Sequence, residues 1–521
     1  MEKQLPKNWV ETSPLEISKI IRGVSYGKSD AFQSEFDNSC LILRGGNIQD
    51  GEIVDGKDNV YVPLDLIKKE QFIQEHDVVI VGSTGSKNLI GKAATSLFDS
   101  DKISFGAFLM NIRAFEPINK RYFSYYFQTN YYREAIRNLA GGVNINNIRK
   151  EYIENLYFPL PPLAEQNRIV AKLDALFAQL EIIKTSMAKV PLLLKDFRQQ
   201  VLTQAVTGKL TEEWRKGKEL GDMFDFISNI SNEREKNYEE LVKIAKKEKI
   251  KKPKKDFEFV FKKHPNKENW CIAKLENLVY MSARIGWKGL KAEEYTESGP
   301  LFISVHSLNY GENVNYEKAY HISEERFLES PEIMLEENDI LLCKDGAGIG
   351  KLGIVKNLKE KATVNSSLLV IRGKEAFVNK FLFYFFSGPA LQNIAKERIT
   401  GTAIPHLFQR DIKEFYVDIP PLEEQQEIVS RVESLFAKAD VIEKQYEILK
   451  AKIDSLPQAI LHKAFKGELT QQLDSDGDAR ELLKQIRELK KSTVKPKKAT
   501  SKKVKKYPGN ETVLRMVAEP K

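Results

Sequence analysis

Few side chains in this 521-residue chain stand at spacings that do covalent chemistry. Gly348-Ile349-Gly350-Lys351-Leu352-Gly353 fits G-x-G-x-x-G after an apolar run, but a dinucleotide cradle must open a helix, and the "IVKN" that follows reads as another strand. A hairpin turn is the better reading. Gly91-Lys92 resembles the end of a phosphate loop, yet Ser86 stands where that loop requires glycine, and Ala93 where it requires serine or threonine. Asp50, Asp55 and Lys57 loosely resemble a nuclease carboxylate set, at spacings that arise by chance. The 6 histidines form no HExxH or other metal-ligand cluster, and the 3 cysteines (Cys40, Cys271, Cys343) form no CxxC. The segments "LPPL" and "IPPL" lack the Asn or Asp before Pro-Pro, and the aromatic after it, that amino-methyltransferases place around a flipped base. No catalytic residue and no metal site emerge, so a binding protein is expected.

Polar and basic residues at glycine-rich turns point to nucleic acid, because Arg and Lys donate to guanine or phosphate and glycine lets backbone approach closely. "SARIGWKGLKAEEY" gathers Arg284, Trp287, Lys288 and Lys291, and the corresponding early segment "RGVSYGKSD" offers Lys28. Ser83, Thr84, Ser86, Lys87 and Asn88 crowd one hairpin; Lys344 and Lys351 flank another. Arg44 and Asn47 lie in "LILRGGNIQDGEI", and His406 closes "GTAIPH". A plain solvent-exposed turn remains the competing reading for each position.

The elements that position these turns are written twice. "FPLPPLAEQNRIVAKLDALFAQLE" from Phe158 returns as "VDIPPLEEQQEIVSRVESLFAKAD" from Val417. One offset carries Pro161 onto Pro420, Glu165 onto Glu424, Gln166 onto Gln425, Leu176 onto Leu435 and Phe177 onto Phe436. It carries "AVTGKLT" onto "AFKGELT" downstream and "RYFSYYF" onto "KFLFYFF" upstream. A period of half the chain is too long for a solenoid and indicates two domain-sized units in tandem. Before each Pro-Pro lies a segment that opens on Asn-Trp (Asn8-Trp9, Asn269-Trp270) and alternates short strand-like runs with turns, as α+β domains do over 1–155 and 266–414. The helical cores match between copies while the polar residues of the turns differ, which suits two halves that read different surfaces.

After each Pro-Pro, steps of four and three from Ile169 to Val201 and from Ile428 to Ile460 meet only apolar residues, a coiled-coil seam of about 50 Å in the first copy. Glu165, Glu423 and Glu424 sit in first turns, where the helix dipole favours them, and Pro191 and Pro457 are expected to interrupt or kink the helices. Two related helices in matching register are expected to pair antiparallel about a pseudo-twofold axis. Helical regions then cover 156–215 and 415–475, joined by a Lys-rich linker (216–265) and followed by a basic tail (476–521), both read first as solvated. The net charge of +8 is modest, and those lysine runs are its uneven part, with phosphate attraction as the alternative. No apolar run spans a membrane, the start has no signal-peptide core, and scattered cysteines suit a reducing, cytoplasmic setting.

The chain resembles the specificity subunit of type I restriction-modification systems. The resemblance rests on the paired "PLPPLAEQ" and "IPPLEEQ" starts, the "LTQAVTGKLT" and "LHKAFKGELT" ends and "GTAIPHL", and it covers almost the whole chain. It implies two target recognition domains, each reading one half of a split, asymmetric double-stranded DNA site. The helical regions would set the spacing and dock two methyltransferase subunits through Glu165, Gln166, Leu176, Phe177, Glu424, Gln425, Leu435 and Phe436. Restriction subunits would join a larger complex. It further implies that this chain binds no cofactor, with S-adenosylmethionine, ATP and Mg2+ on the partner subunits. Competing readings are an enzyme that binds a nucleotide at the Gly85 and Gly348 turns, and a coiled-coil scaffold without DNA contact.

Overall fold

A computed structural model of the protein describes residues 5–49, 51–54, 56, 59–140, 146–255, 258–284, 290–399 and 406–493. The chain divides into two compact units, Met1–Met187 with Ile448–Lys521, and Ala188–Glu447. Outside the strand-bearing segments the long helices are α1 (Leu163–Met187), α2 (Val190–Val206), α3 (Met223–Lys247), α4 (Leu422–Phe465) and α5 (Ala479–Thr493). Among the described residues no helix is long and apolar enough to cross a membrane.

In the first unit a six-stranded sheet runs in the order Ser18–Arg22, Leu109–Ala114, Val78–Val81, Ala93–Thr95, Gly51–Ile53, Ile48–Gln49. Val78–Val81 is β-branched throughout and fully buried, as a central strand covered on both faces should be. It pairs antiparallel with Ala93–Thr95, Ile80 opposite Ala93, so the segment between them is a hairpin loop, exposed at Gly85 and at Lys87, Asn88 and Leu89. Val10–Thr12 pairs antiparallel with Phe158–Leu160 and ties the beginning of the strand-bearing segment to its end. The core gathers Tyr122, Phe123, Tyr126, Phe127 and Phe158 with Ile169 and Leu173 of α1, Leu461 and Ala464 of α4, and Leu482, Leu483 and Ile486 of α5.

The second unit repeats the plan. Its four-stranded sheet runs Val279–Ala283, Leu368–Gly373, Ile340–Cys343, Leu352–Ile354, with Ile340 opposite Ile354. The Gly348 turn, a single 3-10 turn over Gly346–Gly348, therefore joins two antiparallel strands and leads into a strand rather than an α-helix, as the sequence indicated. Cys271–Lys274 pairs with Tyr416–Ile419 where the first unit pairs Val10–Thr12 with Phe158–Leu160. The core joins Phe381, Tyr384 and Phe386 to Val201 and Ala205 of α2, Ile227 of α3, and Ile428 and Val432 of α4.

The interruption expected at Pro191 is found, and two other helical expectations need revision. The run from Ile169 to Val201 is two helices, because Pro191 lies in the first turn of α2, where its missing N–H costs nothing; Pro457 stays inside α4. The seam is buried at Ile169, Leu173, Leu180, Leu194, Val201, Ile428, Val432 and Ala439, and is exposed at other positions, Ile442 at 49% and Leu449 at 50%. Finally, the lysine-rich stretches hold packed helices. Met223 and Ile227 anchor α3 in the second core, and Ala479, Leu482, Leu483 and Ile486 anchor α5 in the first. Both runs carry apolar residues at helical spacing among their lysines, and that spacing decides burial. The tail beyond 493 lies outside the described residues.

The duplicated ends meet the duplicated starts. Gly208, just past α2, has φ +70°, and a Cβ there would sit 2.7 Å from the Trp270 ring. Gly208→Ala is therefore expected to destabilise the second unit by about 1–3 kcal/mol, seen as a lower urea midpoint.

Candidate nucleic-acid interface

Each unit brings its hairpin against the chain segment that precedes its last short helix. In the first, Ser83–Thr84 pairs antiparallel with Asn146–Asn147, Thr84 opposite Asn146 and Ser83 opposite Asn147. In the second, Asp345 bridges antiparallel to His406, and the Leu407 N–H donates to the Lys344 carbonyl at 2.8 Å. The offsets of the repeat map Asn147 onto His406 and Ser83 onto Asp345, so one backbone arrangement presents hydroxyls and amides in one copy and ionic groups in the other. The His406 ring bonds to the Asp345 carboxylate, which also receives the Lys344 ammonium.

Around the first hairpin, Thr84 Oγ1 accepts from the Ser86 N–H and Ser86 Oγ from the Asn88 N–H, each at 3.3 Å. These turns fix the loop while Lys87 and Asn88 stay exposed. Arg133 donates to the Asn88 carbonyl at 2.9 Å, and Arg137 reaches the same oxygen at 3.4 Å. Burial, then the neighbouring Arg137, lowers the Arg133 guanidinium's pKa. In the second hairpin Lys351 is exposed and reaches Asn309 Oδ1 at 2.5 Å. Behind each hairpin lies a buried ion pair, Asp77 with Arg113 (2.6 Å) in one copy and Asp339 with Arg372 (2.5 Å) in the other. Each carboxylate also caps the turn before its strand, Asp77 at the Gln74 N–H and Asp339 at the Glu336 N–H.

Several expected readers do other work. Arg284 is buried at 3% exposure and donates to the Val364 carbonyl at 3.1 Å and to Thr363 Oγ1 at 3.3 Å, so its guanidinium staples strands. Asn47 is buried too; its Oδ1 accepts from the Arg44 N–H and its Nδ2 donates to the Val54 carbonyl, closing a turn. Lys28, Arg44 and Lys291 are exposed, but among the described residues none is bonded to its unit's hairpin. Trp287 and Lys288 lie outside the described residues, as do Asp50, Asp55 and Lys57.

The residues expected to dock partners divide in the same way. Glu165, Gln166, Glu424 and Gln425 are wholly buried and saturated by their own units. Glu165 accepts from Trp9 Nε1 (2.8 Å), Thr470 Oγ1 (3.2 Å) and Gln472 Nε2 (3.1 Å). Glu424 accepts from Trp270 Nε1 (2.8 Å), Thr211 Oγ1 (2.7 Å) and the Arg215 guanidinium. Gln166 Oε1 takes the Asn119 N–H and Gln425 Oε1 the Val378 N–H. The "AEQ" and "EEQ" starts thus latch the Asn-Trp step to the Thr of the other copy's "GELT" or "GKLT" end. Leu176 is half-buried, as are Phe177, Leu435 and Phe436, which pack against their units' cores.

Sequence reading missed Asn146, Asn147, Arg133 and Phe108. Phe108 is 73% exposed, and its carbonyl accepts the N–H groups of Gly82 (2.9 Å) and Ser83 (3.0 Å), which holds an apolar ring beside the hairpin. In the second unit Ser367 occupies that place, its carbonyl accepting the Lys344 N–H at 2.9 Å. The signal was present in the offset that aligns Phe108 with Ser367, an apolar residue replacing a polar one inside a turn.

The model of the type I restriction modification DNA specificity domain matches residues 6–192 and again 216–451. The chain belongs to this family. The specificity subunit of the type I restriction enzyme EcoKI from Escherichia coli K12 is 32% identical over 484 residues, 90% of this chain and 91% of that one. That of StySPI from Salmonella potsdam is 30% identical, covering 90% and 91% of the two chains. The HsdS subunit of Thermoanaerobacter tengcongensis superposes with a TM-score of 0.55 at 16% identity, over 90% of this chain and 99% of that one, and so shares its fold. The chain is thus a type I DNA specificity subunit, and one family model fits each of its two repeats. Among the described residues of this specificity subunit, no group of His, Cys, Asp and Glu is placed to hold a metal ion.

Proposed function

We propose that the two strand-bearing segments, 1–155 and 266–414, are target recognition domains that each read one half of a split, asymmetric DNA site. The observation that carries this reading is the shared backbone placement of Ser83 against Asn147 and of Asp345 against His406, with different side chains on the same frame. Two readers of unlike chemistry select unlike half-sites. The helical regions, 156–215 and 415–475, form an antiparallel coiled coil with pseudo-twofold symmetry. Two sets of contacts support that geometry. In the first unit Glu165 meets Thr470 while Lys184 faces Asp454 at 4.0 Å. In the second Glu424 meets Thr211 while Arg198 pairs with Asp440 at 2.6 Å. In each case an advance along one helix is a retreat along the other.

The partners are two methyltransferase subunits and, for cleavage, restriction subunits. Exposed apolar side chains on the helices support docking: Ile182, Ile183, Leu449 and Leu456 in the first unit, Leu192, Leu193, Val441 and Ile442 in the second. S-adenosylmethionine, ATP and Mg2+ belong to those partners, and this chain performs recognition only. The test is to express it with its cognate methyltransferase subunit and sequence the modified adenines. A split site with two unlike halves is expected; a continuous or palindromic site, or methyl transfer by the pure chain alone, refutes the reading.

Phe108 gives a narrower test. Phe108→Ala is expected to weaken binding of the cognate duplex roughly tenfold through loss of an apolar contact to a base edge. Its melting temperature should not move, because the ring is exposed; a fall in stability without a fall in affinity would contradict this.

A further inference from the structure

We propose that the distal half of α3 and the segment that returns along it form a second DNA contact, which grips phosphate backbone outside the two reading faces. This rests on the DNA reading above. α3 is tied to its unit along its first half, where Met223 and Ile227 are buried and Arg234 reaches Glu375 at 2.7 Å and the Asn277 carbonyl at 3.3 Å. Farther on, the helix is bonded to its own continuation. The Ile250 N–H donates to the Ala245 carbonyl at 3.0 Å, Lys252 Nζ stands 5.9 Å from the Tyr238 ring centre, and Lys255 meets Glu235 at 3.2 Å. Helix and return segment thus make a two-layered arm.

From Lys243 to Lys255 the arm carries eight lysines against one acid, Glu248, while the exposed Glu235, Glu239 and Glu240 stand earlier on α3. Lys243, Lys246, Lys247, Lys249, Lys251 and Lys254 are all exposed, and among the described residues none of them pairs with a carboxylate. Lys246 and Lys247 complement the negative end of the helix dipole, which leaves Lys251 and Lys254 without that explanation. So dense a like charge repels itself and is matched by a polyanion with closely spaced charges.

The other copy supplies an independent observation. α3 and α5 correspond: Asp222 Oδ1 accepts the Phe224 N–H and Asp478 Oδ1 the Arg480 N–H. Met223 donates to the Asn269 carbonyl and Ala479 to the Asn8 carbonyl, both at 3.0 Å. After α3 the sequence reads "KPKK" (Lys252–Lys255), and after α5 it reads "KPKK" again (Lys495–Lys498). The reading hairpins differ between copies, yet the basic run is kept. What two readers of different bases meet in common is the sugar-phosphate backbone.

The test uses the full chain assembled with its methyltransferase subunits, with Lys246, Lys247, Lys251 and Lys254 all replaced by Gln. Binding is measured across salt concentrations on a duplex that holds the site within long flanks and on one trimmed to the site. On the long duplex the slope of log K against log salt should become shallower by about 2–4, at about 0.9 per phosphate released, with the same adenines modified. On the trimmed duplex the change should be smaller. An unchanged slope and affinity on the long duplex, with the parent binding normally, overturns the proposal. So does failed assembly with the methyltransferase at an unchanged DNA slope, which would assign the arm to an acidic protein face. A parent complex that binds no duplex at any salt removes the DNA reading itself and is thereby distinguishable.

Discussion

Glu424→Ala is expected to destabilise the second unit by about 3–5 kcal/mol, because it strands the Trp270 indole N–H, the Thr211 hydroxyl and the Arg215 guanidinium around a vacated buried site. The carboxylate is wholly buried, and Arg215 is left as a partly buried cation without its partner. Glu165→Ala removes the acceptor for three neutral donors, Trp9, Thr470 and Gln472, and should cost less, about 2–4 kcal/mol. Urea unfolding followed by tryptophan fluorescence checks both, since Trp9 and Trp270 are the side chains released. Equal and small losses would show that these latches do not hold the helix starts. DNA recognition should fail along with stability, because each latch fastens a strand-bearing segment to its helix through the Asn-Trp step.

A chimera that takes residues 13–155 from another specificity subunit should recognise a site with one half changed and the other preserved. The structure sets where the exchange must begin. Trp9 belongs to the Glu165 latch, and Val10–Thr12 is the strand that pairs with Phe158–Leu160, so both must stay with the parent. Glu16, which pairs with Arg487 of α5 at 2.6 Å, is best restored in the incoming segment. The exchange replaces Ser83–Asn88, Phe108 and Asn146–Asn147 together and leaves Lys344, Asp345, Lys351 and His406 untouched. Sequencing of modified adenines in cells carrying the chimera reads the result. If both halves of the site change, or neither does, two independent readers are excluded.

Much of this architecture was legible in the sequence because duplication is a strong signal. A constant offset carrying Pro161 onto Pro420, Glu165 onto Glu424 and Phe177 onto Phe436 fixed two units, their helices and their strand-bearing segments, and the apolar run before each glycine-rich turn fixed the hairpins. The absence of any catalytic spacing, and the difference between kept helices and altered turns, pointed to recognition. What failed was the assignment of individual polar groups. Arg284 in a glycine-rich turn looks the same whether it faces a base or the Val364 carbonyl, and Glu165 in a first helical turn looks the same whether it faces solvent or Trp9. The partner that decides each case lies 80 residues away in one and 156 in the other. Periodicity reports which face of an element is apolar, so the sequence alone determined the repeated elements and their order. Whether a charge is buried and bonded or exposed depends on which distant segment is brought against it, and that only the tertiary structure decided.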